Sequence, residues 1–488
     1  MLGRLDKQKD FFDDYIYKNL LPTEHILKDI NKQIDFSFVE GETKDLYNSQ
    51  LGRPSYPPEV LFKILFLESC YNLSDVEAAK QCKYNILYRW FVGLQVGDPT
   101  PDDTSLVVYR ERLGKERFEK LFDRVVLQAK KKGLLKERLK IVDASKIIAD
   151  ISLPNKVNLL HQGRKLIIQA ISKINFKKAR GLTRRYLRKS KVFTKPTKEE
   201  ISQERKLTRG FIKKVRGKFN QGVDDLCQLL NSVSWGRKKK DRIASFVDLD
   251  ARFGKTSPQA KGSFCGYKAH IAEDTSEIIT SVDILKGNQI EGTQLKPLLN
   301  KEEKKGLTSK GIVGDAIYDS GDNYKLIQNR RMKAYISFNP KNRRSWQGFK
   351  YNQKKDYLVC PQAKISIGKV SQEGGFLYYF STTDCQACPS KSICIKPKEH
   401  RARVFVKAGY IFTGGQNRYR KHALKLRKMI ERKFGEAKKW HGLGRARYRG
   451  KWRVAIQVLM TFLVMNVKRM VKLILATRAS PKLACVSG

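Results

Sequence analysis

The sequence predicts an α/β fold: a mixed-sheet core, a helical region ahead of it, and two long insertions. Three patterns predict this. Residues 1–135 carry helical periodicity only. Residues 139–148 and 243–345 hold short β-branched apolar runs alternating with helical stretches, the arrangement of a mixed sheet covered by helices. Between them, residues 156–240 contain 25 Lys/Arg against 5 Asp/Glu.

In the first region, RPSYPPEV places proline where a helix begins and its missing N–H does no harm. The VLFKILFLESC that follows is apolar almost all round and predicts a buried helix. Ser74 and Glu77 form an S-x-x-E capping pattern that opens a second helix. NILYRWFVGL predicts a third. PTPDDTSLVVYRERLG predicts a fourth, capped by Asp103 or Thr104 and carrying Arg110 and Arg112 on its tail. Short helices, tight turns and an arginine-bearing last helix suit a helix-turn-helix array; a dimerisation or packing module suits them equally. KERFEKLFDRVVLQAKKKGLL predicts an amphipathic helix ending at Gly133.

LKIVDAS is the first strand. In the basic run that follows, Phe176, Tyr186, Phe193, Phe211, Phe219 and Trp235 interleave with the charges, the apolar spacing is helical, and Pro196 interrupts it. Like charge so dense is costly unless something anionic neutralises it. The run therefore predicts a helical insertion that contacts DNA, with Lys238, Lys239 and Lys240 among the contacts; a solvated helical pair with a thin apolar seam is the alternative. GYKAHIAED and EIITSVDIL read as a hairpin. EGTQLKPLLN predicts a helix, GIVGDAIYD a strand, SGDNYKLIQNRR a helix and MKAYISF a strand. That order fits a ribonuclease H-like core, in which the first strand lies beside the strand after the first helix. Asp143 and Asp315 then meet despite lying 172 positions apart. Residues 346–400 form a cysteine-rich insertion, 415–440 return to helix, and 453–474 predict a buried helix.

The formal net charge is +51, from 99 Lys/Arg and 48 Asp/Glu. An enzyme of small metabolites has no need for that excess. Nucleic acid is the expected partner, because each neutralised phosphate releases counterions; an anionic membrane surface is second. The longest near-apolar run, VAIQVLMTFLVM, is shorter than the roughly 20 residues a membrane span needs. The start has charge where a signal peptide has its apolar core, and nine cysteines in a long chain suit a reducing compartment. A cytoplasmic, nucleoid-associated protein is expected.

Two constellations carry chemistry. Asp143 and Asp315 close strand-like runs, and Glu431 lies in the periodic stretch HALKLRKMIERKFGEAKK. Carboxylates in so basic a chain are most useful holding a divalent metal against a phosphate. On a helical wheel with Arg427 at zero, Glu431 falls near 40° and Lys438 near 20°, beside an apolar stripe of Ala423, Leu426, Ile430, Phe434 and Ala437. Alone, Arg427 and Glu431 would be an ordinary i, i+4 surface pair. Asp248 and Asp250 also follow a strand-like run; Asp143 is preferred as the first ligand. The second constellation is Cys360, Cys385, Cys388 and Cys394, four soft ligands suited to one structural tetrahedral Zn2+, with His400 an alternative to Cys394.

Several segments together resemble the bacterial insertion-sequence transposases of the DDE type. GRPSYPPEVLFKILFLESCYNLSDVEAAKQCKYNILYRWFVGL resembles their N-terminal domain, and IVDAS their first-Asp strand. DLDARFG followed by GYKAHIAED resembles their D-P-D-A-R and G-Y-x-x-x-x-A segments. VGDAIYDS resembles their second-Asp motif, and IERKFGEAKKWHGLGRARYRG their third. Ile317 stands where the family has Gly, and Leu424 where it has Tyr; neither is a metal ligand. The resemblance implies Asp143, Asp315 and Glu431 as catalytic ligands of two Mg2+. It implies cleavage and strand transfer at the terminal inverted repeats of the element and at target DNA. Arg427, Lys438, Arg445, Arg447 and Arg449 are expected on DNA, and a homodimer is expected to hold two ends. A nuclease of the same fold without strand transfer and a non-catalytic DNA-binding derivative are the rivals.

The readings divide the chain into a helical DNA-binding or dimerisation domain (1–135), the first catalytic strand (136–155) and the basic helical insertion (156–240). The ribonuclease H-like core (241–345), a zinc-ribbon-like insertion with four cysteine ligands (346–400), and the catalytic and C-terminal helices (401–488) follow.

Overall fold

A computed structural model describes residues 2–3, 11–48, 54–187, 195–235, 243–255, 262–337, 339, 348–352, 355–372, 375–395, 399–407 and 418–479. The N-terminal region is helical: α1 (Phe11–Leu20), α2 (Ile26–Gln33), α3 (Phe38–Thr43), α4 (Pro58–Tyr71), α5 (Asp75–Tyr84), α6 (Ile86–Val92) and α7 (Asp103–Lys131). Proline opens α4, whose apolar residues are buried on nearly every side. Ser74 caps α5 by accepting from the Glu77 N–H. Asp102, rather than Asp103 or Thr104, caps α7, its Oδ1 accepting from the Ser105 N–H at 2.7 Å. The two helices expected on either side of Gly114 both form and meet within α7 at a kink, where Gly114 leaves helical geometry (φ 60°, ψ 178°).

The sheet begins with β1 (Leu139–Ile148) and resumes after the insertion with β2 (Arg252–Lys255), β3 (Ser263–Asp274) and β4 (Ile279–Lys286). After α12 (Leu295–Lys304) come β5 (Gly311–Gly314), α13 (Gly321–Asn329) and β6 (Lys333–Ile336). β3 lies antiparallel between β1 and β4, while β1–β5 and β5–β6 are parallel. This mixed sheet is the order a ribonuclease H-like core requires. Strand alternation gives it two faces. Ile141, Ile271 and Val313 belong to the core shared with the C-terminal and N-terminal helices. Val142, Ala272 and Ile312 pack with α12 and α13.

The basic insertion is a four-helix unit, α8 (Lys156–Ser172), α9 (Phe176–Tyr186), α10 (Lys198–Val215) and α11 (Gln221–Trp235). Its own core includes Ile167, Ile171, Phe211, Val215 and Leu230. Gly163 lets helices close: a Cβ there would stand 2.5 Å from Leu230. Fully buried Arg164 donates to Thr208, Glu204 and the Tyr186 carbonyl, so one cation is satisfied inside the unit. On α9, Lys177, Lys178, Arg180, Arg184 and Arg185 are exposed.

The cysteine-rich segment adds β7 (Lys350–Asn352), β8 (Tyr357–Val359), β9 (Gly368–Gln372), β10 (Gly375–Tyr379), α14 (Thr382–Gln386), α15 (Lys391–Cys394) and β11 (Arg403–Lys407). β7–β8 form a hairpin and β9–β10–β11 a small antiparallel sheet. The chain returns through α16 (Arg418–Lys425), α17 (Arg427–Trp440) and α18 (Lys451–Ala479). α18 is buried through its middle. Its Asn466 pairs with both the N–H (2.8 Å) and carbonyl (2.7 Å) of Ile279, satisfying an internal polar side chain and fixing the start of β4. Among the described residues, no helix is long and apolar enough to cross a membrane.

Candidate active site

The register of β1 against β5 defines the site. Parallel pairing runs Leu139↔Gly311, Lys140↔Ile312 and Ile141↔Val313, and then ends. Asp143 and Asp315 each lie two residues beyond the last pair, at equivalent positions: Asp143 within β1, which stays paired with β3, and Asp315 one residue past the end of β5. Asp143 Oδ1 accepts from the Ala144 N–H at 2.8 Å, and Asp315 Oδ1 from the Ile317 N–H at 2.9 Å. Burial pushes the Asp143 carboxyl up to about 7; the Ala144 N–H opposes this and the charge of Asp315 adds to it. Burial also raises Asp315, against its bond from Ile317 and the nearby Arg427 cation.

Helix α17 covers this end of the sheet. Ile430, Phe434 and Ala437 turn inward, with Phe434 edge-on to Phe462 of α18 at 6.2 Å. The helix runs unbroken through Gly435, so Arg427, Glu431 and Lys438 share one flank. Arg427 is the cation felt by both aspartates. Glu431 is 58% exposed and 3.7 Å from Arg427. Lys438 is depressed by burial and by Lys146, and supported by the Asp143 charge. Among the described residues, no three His, Cys, Asp or Glu side chains gather closely enough to hold a metal ion; Glu431 therefore stands apart from the aspartate pair in this conformation.

Residues 15–112 match a family described as a transposase domain (DUF772), and residues 241–467 match the transposase DDE domain family. This chain is a DNA transposase of the DDE type. No curated protein and no solved structure matches it.

Around the transposase site lie groups with no local sequence signal. Glu291, in the turn Glu291–Gln294, receives the Lys268 ammonium at 2.6 Å and adds negative potential at Asp143 and Asp315. That turn abuts the one after Asp315: a Cβ on Gly292 would sit 2.1 Å from the Ile317 carbonyl oxygen. Tyr318 and His270, both fully buried, share a hydrogen bond of 2.9 Å. Asp248 is buried and accepts from Tyr267, Asp250 and Ala251; Asp250 pairs with Lys286 at 3.1 Å. Both are thus engaged within the protein.

The segment after α17 extends the sheet edge. Ile148 donates to Gly444 at 3.0 Å, and Ala446 donates to Ile148 at 2.7 Å. Arg445 pairs with Asp150 at 3.1 Å, and Arg449 donates to the Asp150 carbonyl. Arg447 differs from its expected place on DNA. Its guanidinium turns into the N-terminal helices and donates to Glu68 (2.8 Å), the Leu73 carbonyl (2.7 Å) and Asn72 (2.5 Å). Arg110 is likewise buried against Glu68 and Asp75 rather than presented to a groove. Burial and the charge of Asp75 push Glu68 up to about 7, against the two arginines. Lys238, Lys239 and Lys240 lie outside the described residues.

Cys360, Cys385, Cys388 and Cys394 line a single cavity of about 440 Å³. Burial, then the neighbouring Cys388, Cys360 and Cys385, raise the Cys394 thiol. Cys385 Sγ also accepts from the Ala402 N–H at 3.4 Å.

Proposed function

We propose that Asp143, Asp315 and Glu431 are the catalytic acidic residues and hold two Mg2+. The equivalent placement of Asp143 and Asp315 beyond the β1–β5 register carries this reading. Each aspartate uses one oxygen in a backbone hydrogen bond and leaves the other for a cation, and burial raises both carboxyls, as expected of buried carboxylates that a bound cation would neutralise. Bound divalent cations there supply Lewis acidity and neutralise charge at the scissile phosphodiester. The protein's own side chains do the rest. Arg427 moves from the carboxylates to a DNA phosphate, which frees Glu431 to complete the set. Lys438 grips the strand on the other side of Asp143 as a point charge. Water attacks the phosphorus at the element end, one P–O bond forming as the bond to the 3′-oxygen breaks and that oxygen leaves as a hydroxyl. This 3′-hydroxyl then attacks a target phosphorus, forming a new P–O bond as the target's own 3′-oxygen leaves and takes up the proton.

The exposed basic face of α9, together with Lys238–Lys240, tracks the DNA backbone, and Arg445 and Arg449 contact it near the site. Residues 1–135 bind DNA or pair two protomers, so that a homodimer holds both element ends. The four cysteines line one cavity without already closing into a ligand set, and they are the residues that would draw together on one structural Zn2+ and so fix the 346–400 insertion. The test is cleavage of an end-containing duplex by Asp143→Ala, Asp315→Ala and Glu431→Ala. Each should abolish Mg2+-dependent cutting and leave DNA affinity within a few-fold. Normal cutting by any one removes that residue from the site.

A further inference from the structure

Pairing between β1 and β5 ends at Ile141↔Val313, short of both aspartates. Nothing in the parallel ladder fixes the distance between Asp143 and Asp315. β3 does follow β1 to its end, with Asp143 opposite Ile271, Ala144 opposite His270 and Ile148 opposite Gly266. Any group anchored on β3 near His270 is therefore anchored to Asp143. On the other side, Asp315 opens a tight turn. It caps that turn through the Ile317 N–H, and its carbonyl accepts from the Tyr318 N–H at 3.2 Å. Tyr318 is thus tied to Asp315 by both the cap and the turn.

The turn carries Tyr318 to the sheet face opposite α17. There its ring packs over Gly314, where a Cβ would stand 3.0 Å from it, and beside Val142 and Ala272. Alternation puts His270 on that same face, one residue out of phase with Asp143. The two rings lie 5.9 Å apart at 22°, and Tyr318 Oη meets His270 Nε2 at 2.9 Å. The Tyr318 carbonyl accepts from Asn323 Nδ2 at 3.0 Å, and the same amide holds the Gly292 carbonyl at 2.9 Å. The Tyr318 ring is thus held at its backbone and at its hydroxyl. The hydroxyl bond is a side-chain link from the turn that carries Asp315 to the strand that registers Asp143.

We propose that the Tyr318–His270 hydrogen bond sets the spacing of Asp143 and Asp315, which makes both residues positioning residues for divalent-cation binding. The proposal rests on the reading of the two aspartates as cation ligands. Groups that orient ligands without touching the metal commonly change affinity by about tenfold or more.

The test uses the full chain without DNA and titrates Mn2+ alone, reading the dissociation constant, with the Mg2+ concentration for half-maximal cleavage measured in parallel. Wild type should bind Mn2+ in a manner that Asp143→Ala abolishes. Tyr318→Phe, which removes one oxygen, should weaken Mn2+ about tenfold and raise half-maximal Mg2+ by a similar factor, while cleavage at saturating Mg2+ and DNA affinity stay close to wild type. His270→Phe should match it, and the double variant should be no worse, since both remove one interaction. His270→Gln, which keeps a hydrogen-bonding group, should recover most of the affinity. Should Tyr318→Phe not fold, His270→Phe carries the test on the same terms. A variant that melts earlier but binds Mn2+ as wild type does would overturn the proposal and leave the ligand reading intact. Mn2+ binding indifferent to Asp143→Ala would overturn both.

Discussion

Glu273 offers a quantitative test of how the sheet carries α17. It lies on β3 between Ile141 and Ile279, fully buried, with neither carboxylate oxygen hydrogen-bonded among the described residues. It faces Lys433 and Arg432 of α17, and Glu277 and Asp274 at the end of the hairpin. Burial outweighs the two cations and raises its carboxyl from 4.5 to about 8. The folded protein therefore holds Glu273 protonated at neutral pH, while the unfolded chain ionises it. Below pH 4.5 both states are protonated and there is no penalty. Between pH 4.5 and 8 stability falls by about 1.4 kcal/mol for each pH step. The loss is about 3 kcal/mol at pH 7 and levels off near 5 kcal/mol above pH 8. Glu273→Gln keeps the shape and removes the titration. Its melting temperature relative to wild type should rise between pH 4 and pH 7 by roughly 3 °C, at about 1 °C per kcal/mol for a chain of 488 residues. Thermal unfolding of both proteins at pH 4, 5.5, 7 and 8.5 measures this directly. A difference that stays flat across that range would refute the assignment of a buried, protonated Glu273.

Arg427→Ala should melt within a degree or two of wild type yet cleave about 100-fold more slowly in single turnover, since a misplacement near 1 Å can have that effect; early melting with normal cutting would make Arg427 structural. Arg447→Ala removes three charge-assisted bonds, to Glu68, the Leu73 carbonyl and Asn72, and should destabilise the chain by about 2 kcal/mol or more, with earlier protease cleavage between the N-terminal helices and the core and an unchanged salt dependence of DNA binding. Purified transposase should carry about one equivalent of Zn2+ by elemental analysis, and Cys388→Ser should lose it together with the protease resistance of the insertion, as structural zinc contributes on the order of 10 kcal/mol to local folding.

Much of the architecture is legible in local pattern. The β-branched runs at 139–148, 263–286 and 311–314 place the sheet, and the order of strands and helices brings Asp143 to Asp315. The flank of α17 follows from helical spacing alone. Other features depend on partners far away in sequence. Arg447 looks like any arginine of a basic loop until Glu68, 379 positions earlier, comes against it. His270 sits in an alternating strand with no motif, and its role depends on a turn 48 residues later. The cap of α7 shows a different limit: Asp102, Asp103 and Thr104 can all cap, so residue type alone does not choose among them, and Asp102 is the one that accepts from the Ser105 N–H. Gly114 reads as a helix stop and does interrupt the helix, and the segments on either side of the kink bury apolar faces in the same core.

The interval between β1 and its neighbours also has a consequence for biosynthesis. β1 leaves the ribosome long before β3 and β5, and Glu431 follows Asp143 by 288 residues. At roughly 5–20 residues per second, that is on the order of 15 to 60 s. During this time β1 is an unpaired strand, while the helical unit of residues 156–235 folds on local contacts alone. The nascent chain thus completes its cationic helical unit before Glu431 has been made.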